Sequence, residues 1–223
     1  MSTGTRHTIT AFDDDMDEIR GLIAEMGARA ETAVVGAMRA LQEHDVEAAA
    51  TIRADDKIID SLETEVERLV VRTIALRAPM ADDLRELIAA LKMSAVIERI
   101  GDYAKNIAKR VPKMEGRIHA SAKEQLGRMG AIVVEMIRTA MDAYVKRDVD
   151  LARAVTVRDD VVDQLNKDLF VDFVAYVAKN PQNATEVAHL LFTAKNLERI
   201  GDHTTTVAQM IYFTETGENL PDA

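Results

Sequence analysis

Apolar residues recur every three or four positions along most of this chain, and the runs are long. Phe12, Met16, Ile19, Ile23, Met26, Ala30, Val34, Ala37 and Leu41 form one stripe, which predicts a first helix over 12–41. Asp13, Asp14 and Asp15 fall in its predicted first turn, where acids complement the helix dipole. His44-Asp45 marks a corner. A second helix is predicted over 46–76, with Ile52, Ile59, Leu62, Val66, Leu69, Val70 and Ile74 inward and Pro79 as its stop. A third is predicted over 82–110, with Leu84, Leu87, Ile88, Leu91, Ala95, Ile100 and Ile107 inward. Pro112 and Gly116 punctuate a linker over 111–119. Ser121 with Glu124 reads as a capping box that opens a fourth helix, ending near Lys146. Its apolar face is Leu126, Met129, Val133, Met136, Ile137, Met141 and Tyr144. A fifth helix over 149–178 stops at Asn180-Pro181, and a sixth runs over 184–213. No strand-like alternation survives this reading.

The six helices are two sets of three. Residues 40–62 align with 143–165 at an offset of 103, which pairs Asp45 with Asp148, Asp56 with Asp159 and Asp60 with Asp163. The pentad Glu98-Arg99-Ile100-Gly101-Asp102 returns as Glu198-Arg199-Ile200-Gly201-Asp202 at an offset of 100. The drift falls in the loop between helices, where length changes are tolerated. An internal duplication follows. The expected fold class is all-α: two tandem three-helix bundles, over 10–111 and 120–214, related by a pseudo-two-fold.

Composition narrows the function. A net charge of −10 and a pI near 5.0 argue against nucleic acid and against an anionic membrane surface. The chain has no cysteine, so thiolate metal sites, disulfides and cysteine nucleophiles are excluded. The first ten residues lack the apolar stretch of a signal peptide, and no apolar run approaches a membrane span. A cytoplasmic protein without direct membrane insertion is the expectation. Ser61, Ser94 and Ser121 lack a nucleophile-elbow context, so no enzyme is expected.

The acidic pairs carry the candidate chemistry. Asp56 and Asp60, Glu98 and Asp102, Asp159 and Asp163, and Glu198 and Asp202 each sit four residues apart. That spacing puts two carboxylates on one helix face, where they repel by a few tenths of a kcal/mol or so, about 0.2–0.5. Local salt bridges are one explanation: Arg99 and Lys105 flank Asp102 at three residues, and Lys195 precedes Glu198 by three. The alternative is a metal site in each bundle, Asp56, Asp60, Glu98 and Asp102 in the first and Asp159, Asp163, Glu198 and Asp202 in the second. All-oxygen ligation suits a divalent or trivalent ion such as Fe, Mn, Mg or Zn and argues against a thiolate-type site. Glycine within a helix costs about 1 kcal/mol relative to alanine. Its repetition at Gly101 and Gly201 therefore implies close approach of a helix or an ion. Arg99 and Arg199 are candidates to orient the carboxylates from outside.

The four acidic motifs, with Pro79-Met80-Ala81-Asp82-Asp83-Leu84-Arg85 at the start of the third helix, resemble the PhoU family of phosphate-signalling regulators. The second copy departs there, reading Pro181-Gln182-Asn183-Ala184-Thr185-Glu186-Val187. The resemblance covers about residues 10–214. It implies a soluble, homodimeric, metal-binding negative regulator of phosphate uptake and phosphate-starvation signalling. The implied partners are the ATPase subunit of the phosphate ABC transporter and a sensor histidine kinase, through which the protein would reach the inner membrane. Two rivals stand beside it. One is a ferritin-like carboxylate bundle, hinted at by Glu186-Val187-Ala188-His189. The other is an accessory protein of a low-affinity phosphate carrier. His203 is a further candidate to touch a metal. Met26, Val34, Val133 and Met136 on helices 1 and 4 are candidates either for a partner surface or for the core.

Overall fold

The computed structural model of the chain describes residues 3–115 and 120–221. Six long helices run in the order α1 (Thr3–Glu43), α2 (Val46–Arg77), α3 (Asp82–Ala108), α4 (Ala120–Lys146), α5 (Val149–Lys179) and α6 (Ala184–Thr216). Short 3₁₀ turns at Val111–Lys113 and Pro181–Asn183 join the later elements. Gly116 and the rest of the predicted linker over 116–119 lie outside the described residues.

The duplication is visible in the turns. His44 and Arg147 both take φ 54°, and each is followed by an aspartate N-cap. Asp45 accepts from the Ala48 amide, and Asp148 accepts from Asp150 and Leu151. The Asp45 amide donates to Ala40 at 2.9 Å and the Asp148 amide to Ala143 at 3.0 Å, which closes the preceding helix in the same way. The second turn of each bundle differs. Ala78 and Ala81 hold positive φ between α2 and α3, whereas Asn180 and the 3₁₀ turn replace them between α5 and α6. The drift in sequence offset is this change of connection.

Each bundle buries its stripe, and the two bundles then share one core. The helices α1 and α4 meet through reciprocal notches. Met141 lies against Gly27, and Met38 against Gly130, 103 residues on in each case. A Cβ added at Gly130 would stand 3.0 Å from Met38 Cγ, so only glycine admits this approach without a shift. Met26, Val34, Val133 and Met136 are fully buried in this contact and in the core of the chain itself. They form no surface for a partner.

Several expectations are corrected. Helix α1 starts at Thr3, upstream of Phe12, so Asp13–15 lie in its interior. Asp15 there pairs with Arg77 at 3.0 Å, an interhelical tie and not a dipole effect. Helix α4 already includes Ala120, so Ser121 lies inside it and not at the N-cap position. On α3 the residues Leu84 and Ile88 are exposed, as is Ala95. The inward face instead carries Leu87, Ala90, Met93, Ser94, Ile97, Gly101 and Ala104. Helix α3 packs against α1, α2 and α6 at once. Small residues let three neighbours approach, so its inward face is not traced by its largest side chains.

Candidate metal centres

The motif carboxylates gather on two helix pairs, α2 with α3 and α5 with α6. Each pair is antiparallel and short-looped, so the middle of one helix lies beside the middle of the next. In the first bundle Asp56 is buried and Asp60 exposed, while Glu98 and Asp102 are half-buried. In the second bundle Asp159, Asp163 and Glu198 are half-buried and Asp202 is exposed. The repeated glycines explain the closeness. A Cβ on Gly101 would stand 2.8 Å from Ile59 Cδ1, with Asp56 Oδ1 behind it at 3.7 Å. A Cβ on Gly201 would stand 2.7 Å from Asp159 Oδ1 itself. A neighbouring helix therefore approaches the backbone at both glycines, and in the second bundle it brings a carboxylate.

The first site is cross-linked by a lysine. Lys105 on α3 pairs with Asp56 Oδ2 across to α2, and with Asp102 Oδ1 at 2.8 Å along its own helix. These two carboxylates hold the Lys105 ammonium well above the usual lysine range. Burial pushes the Asp56 carboxyl up, and Lys105 pulls part of that back. Glu98 is also pushed up, by burial first and then by Asp102, Glu63 and Asp60. Glu63 joins this acidic group: burial, Glu67 and Asp60 raise it.

Among the described residues no such ammonium bridges the helix pair of the second site. Asp159 is pushed up to about 6 by burial, then by the charges of Asp202, Asp163 and Asp160, with the neighbouring Thr205 hydroxyl offsetting part of this. Asp202 is pushed up by burial, Glu198 and Asp163. Lys195 pairs with Glu198 Oε1 along α6. Asp159 Oδ1 and Glu198 Oε2 are buried with no hydrogen-bond partner. A buried acceptor left unpaired costs about 1–3 kcal/mol, and more when charged. Carboxylate oxygens are the donor type that a hard cation takes. Among the described residues no three His, Asp or Glu side chains converge closely enough to hold an ion in this arrangement.

The surrounding residues sort differently from expectation. Lys105–Asp102 and Lys195–Glu198 pair as their spacing predicts. Arg99 does not pair with Asp102; it lies 3.7 Å from Glu98. Arg199 stands over the Tyr103 ring at 5.7 Å instead of bonding a carboxylate. His203 stacks on Tyr103 with ring centroids 5.4 Å apart, and the two occupy equivalent places in the repeats. Burial and the nearby Arg99 and Arg199 hold the His203 imidazole below its usual range. Glu186 and His189 are engaged elsewhere. Glu186 accepts from the Glu115 amide at 3.1 Å, and His189 Nδ1 lies 3.4 Å from Arg110. Sequence reasoning missed Glu63 and the reach of Lys105 to Asp56. Glu63 follows Asp60 by three residues on the same face, which was the available signal.

Comparison with known proteins agrees with this architecture. The PhoU domain model matches twice, at residues 23–111 and 126–211, once per bundle. A relative from Zymomonas mobilis, described as a phosphate-specific transport system accessory protein PhoU homolog, is 46% identical over 216 residues, 97% of this chain and 91% of the relative. One from Caulobacter vibrioides with the same description is 39% identical, covering 97% of this chain and 94% of its own. The crystal structure of PhoU from Pseudomonas aeruginosa superposes with a TM-score of 0.90 at 30% identity, over 93% of this chain and all of that one (100%). The phosphate transport system regulatory protein PhoU from Streptococcus pneumoniae gives 0.87 at 25% identity, over 94% of this chain and 99% of that one. With both repeats matched and the six-helix fold shared end to end, the chain belongs to the PhoU family.

Proposed function

We propose that this protein is a metal-binding negative regulator of phosphate uptake and phosphate-starvation signalling. It acts by contact with the ATPase subunit of a phosphate transporter and with a sensor histidine kinase. The observation that carries the reading is the family match through both repeats, to relatives described as accessory and regulatory proteins of phosphate transport. The orphaned Asp159 and Glu198 oxygens support the metal. Asp159, Asp163, Glu198 and Asp202 would hold an ion between α5 and α6, and Asp56, Asp60, Glu98 and Asp102 would do so between α2 and α3. A bound cation would supply the positive charge that these carboxylates lack. The residues themselves fix which helices are coupled: Gly101 and Gly201 set the approach, and Lys105 already ties α2 to α3.

No helix among the described residues is long and apolar enough to cross a membrane. Contact with a transporter would then be made from its solvent-facing part. A homodimer, where it forms, uses surface other than the α1–α4 contact, because that contact is closed within the chain. The ferritin-like rival is disfavoured, since Glu186 and His189 are held by Glu115 and Arg110.

The test is a phosphate-starvation reporter in a strain deleted for this gene and grown in phosphate-rich medium. High output, lowered again by the wild-type gene, is expected. Output that stays low on deletion would remove the negative-regulator reading and favour a carrier-accessory role.

A further inference from the structure

The outer face of the α5–α6 pair carries an apolar groove. Its volume is about 670 Å³, and it lies between Phe170 and Val171 on α5 and Leu191 and Phe192 on α6, with Ala188 in its lining. Phe170 is 58% exposed, Phe192 56% and Val171 65%. Contiguous exposed apolar side chains mark interaction sites, whereas single ones do not. The duplication shows that the fold does not need them there. Buried positions repeat between the bundles: Val162, Leu169 and Phe173 on α5 match Ile59, Val66 and Val70 on α2 at the offset of 103. At the same offset Phe170 and Val171 match Glu67 and Arg68, and Phe192 matches Lys92 at the offset of 100. All three counterparts are exposed. The first repeat thus closes the same core with charged residues outside it, where the second repeat sets two phenylalanines.

Cations flank the groove in a chain whose net charge is −10. Lys167 and Lys195 line it. Lys167 is exposed and has no ion pair among the described residues, while Lys195 pairs with Glu198. Arg110 reaches over from α3 and stacks on the Phe192 ring, 4.2 Å from its centroid. Its Nη1 lies 3.4 Å from His189 Nδ1, and its Nε is buried without a hydrogen-bond partner. The counterparts of Lys167, Lys195 and Arg110 in the other repeat are Thr64, Ala95 and Met210, so the cations and the phenylalanines occur together and only once. From this coincidence we propose that the groove docks an amphipathic helix of a partner protein, with an apolar ridge flanked by Asp and Glu. The proposal rests on the reading that this protein works by contact, and it names a surface for that contact. The lining runs from 188 to 195 along α6, about 11 Å, which is about two turns of a docked helix. A groove between two helices receives the ridge of a third, with anchors at i, i+3 or i+4, and i+7. A second copy seated through the same groove would set Lys167, Lys195 and Arg110 against their own images. The overall negative charge does not bar an acidic helix, because charges beyond about 10 Å are screened at 0.1 M salt.

The experiment is binding of a fluorescein-labelled peptide to the full chain, read by anisotropy. The peptide has about five helical turns, with Leu at i, i+3, i+4 and i+7 and Glu on both flanks. A second peptide carries Lys in place of every Glu. Wild type is compared with the double variant Phe170→Ser, Phe192→Ser and with Lys167→Glu, and melting curves show whether each folds. Wild type is expected to bind the acidic peptide, less tightly as salt rises, and to bind the lysine peptide at least about tenfold more weakly. Each variant should lose at least about tenfold in affinity for the acidic peptide. No binding of the acidic peptide by wild type, equal binding of both peptides, or unchanged affinity in the folded variants would overturn the proposal. Sedimentation and flotation with phosphatidylcholine–phosphatidylglycerol vesicles test the other occupants. A wild-type dimer, or vesicle binding, that the double variant loses would overturn the partner helix in favour of a second copy or a membrane. In the phosphate-starvation reporter strain the double variant is expected to leave output as high as deletion does. Full repression by the folded double variant would overturn the groove's part in that contact. Low output in the deletion strain itself would remove the regulator reading and leave the peptide result to decide the groove.

Discussion

Asp159→Asn should stabilise the metal-free protein at neutral and alkaline pH, although it removes a motif residue. The reasoning is a linkage. The Asp159 carboxyl sits at about 6 in the fold against 3.8 for the free group. A raised carboxyl favours the protonated form, so its contribution to stability is fully present below pH 3.8 and is lost as pH rises through about 6. The unscreened loss at pH 8 is about 3 kcal/mol, from ~1.36 kcal/mol per unit. Asp159 is only half-buried. Solvent screening reduces the figure to about 1–2 kcal/mol. Asparagine has nearly the same shape and no charge, so the variant should gain that amount at pH 8. At pH 5 the gain should fall to about half, because part of the wild-type population is already protonated there. Urea unfolding in the presence of a chelator at both pH values measures it. Adding Mn²⁺ should invert the order: at 100 times its Kd, a ligand held by wild type alone adds about 2.7 kcal/mol. A variant less stable than wild type at pH 8 without metal, or a gain that does not shrink toward pH 5, would refute the reasoning.

Three further outcomes follow from packing and capping. Gly201→Ala should weaken Mn²⁺ binding more than Gly101→Ala, because the new methyl meets Asp159 Oδ1 in one case and the flexible end of Ile59 in the other; paired Mn²⁺ titrations decide it. Gly130→Leu should fill the notch that receives Met38 and destabilise the chain by about 1–3 kcal/mol in urea. Asp45→Ala and Asp148→Ala should each cost about 1 kcal/mol, since both cap a helix by accepting from the amide three residues on, Asp148 also from Asp150; unequal losses beyond about 1 kcal/mol would show that the two turns are not equivalent.

The helix count, the duplication and the antiparallel pairing were legible because apolar spacing and the repeated acidic motifs are local, one-dimensional signals. Residues 19, 23, 26, 30 and 34 are all fully buried, as their spacing requires. Helix α3 was less legible. Its inward face is built on Ala90, Ser94, Gly101 and Ala104, which contribute little hydrophobic signal yet admit three neighbours. The start of α1 was hidden because residues 3–11 are mostly polar, with Ile9 and Ala11 too few to trace a stripe.

The candidate site shows the same division. Which carboxylates share a face was readable from the four-residue spacing. Pairings along one helix were readable too, as with Lys195 and Glu198. Pairings across helices were not. Lys105 was visible as a neighbour of Asp102, but its reach to Asp56 depends on how closely α2 and α3 approach. Asp56 is cross-linked by Lys105, whereas Asp159 Oδ1 has no partner and Thr205 stands where the second repeat's counterpart of Lys105 would be, forty-odd residues on in sequence. Repetition of the motif therefore did not imply repetition of its electrostatics.

The central claim is that the carboxylates of α5 and α6 hold a metal ion. Anomalous diffraction at the manganese edge, from crystals grown with Mn²⁺, tests it most directly. The account predicts a peak bounded by Asp159, Glu198 and Asp202. No manganese at these carboxylates would contradict it.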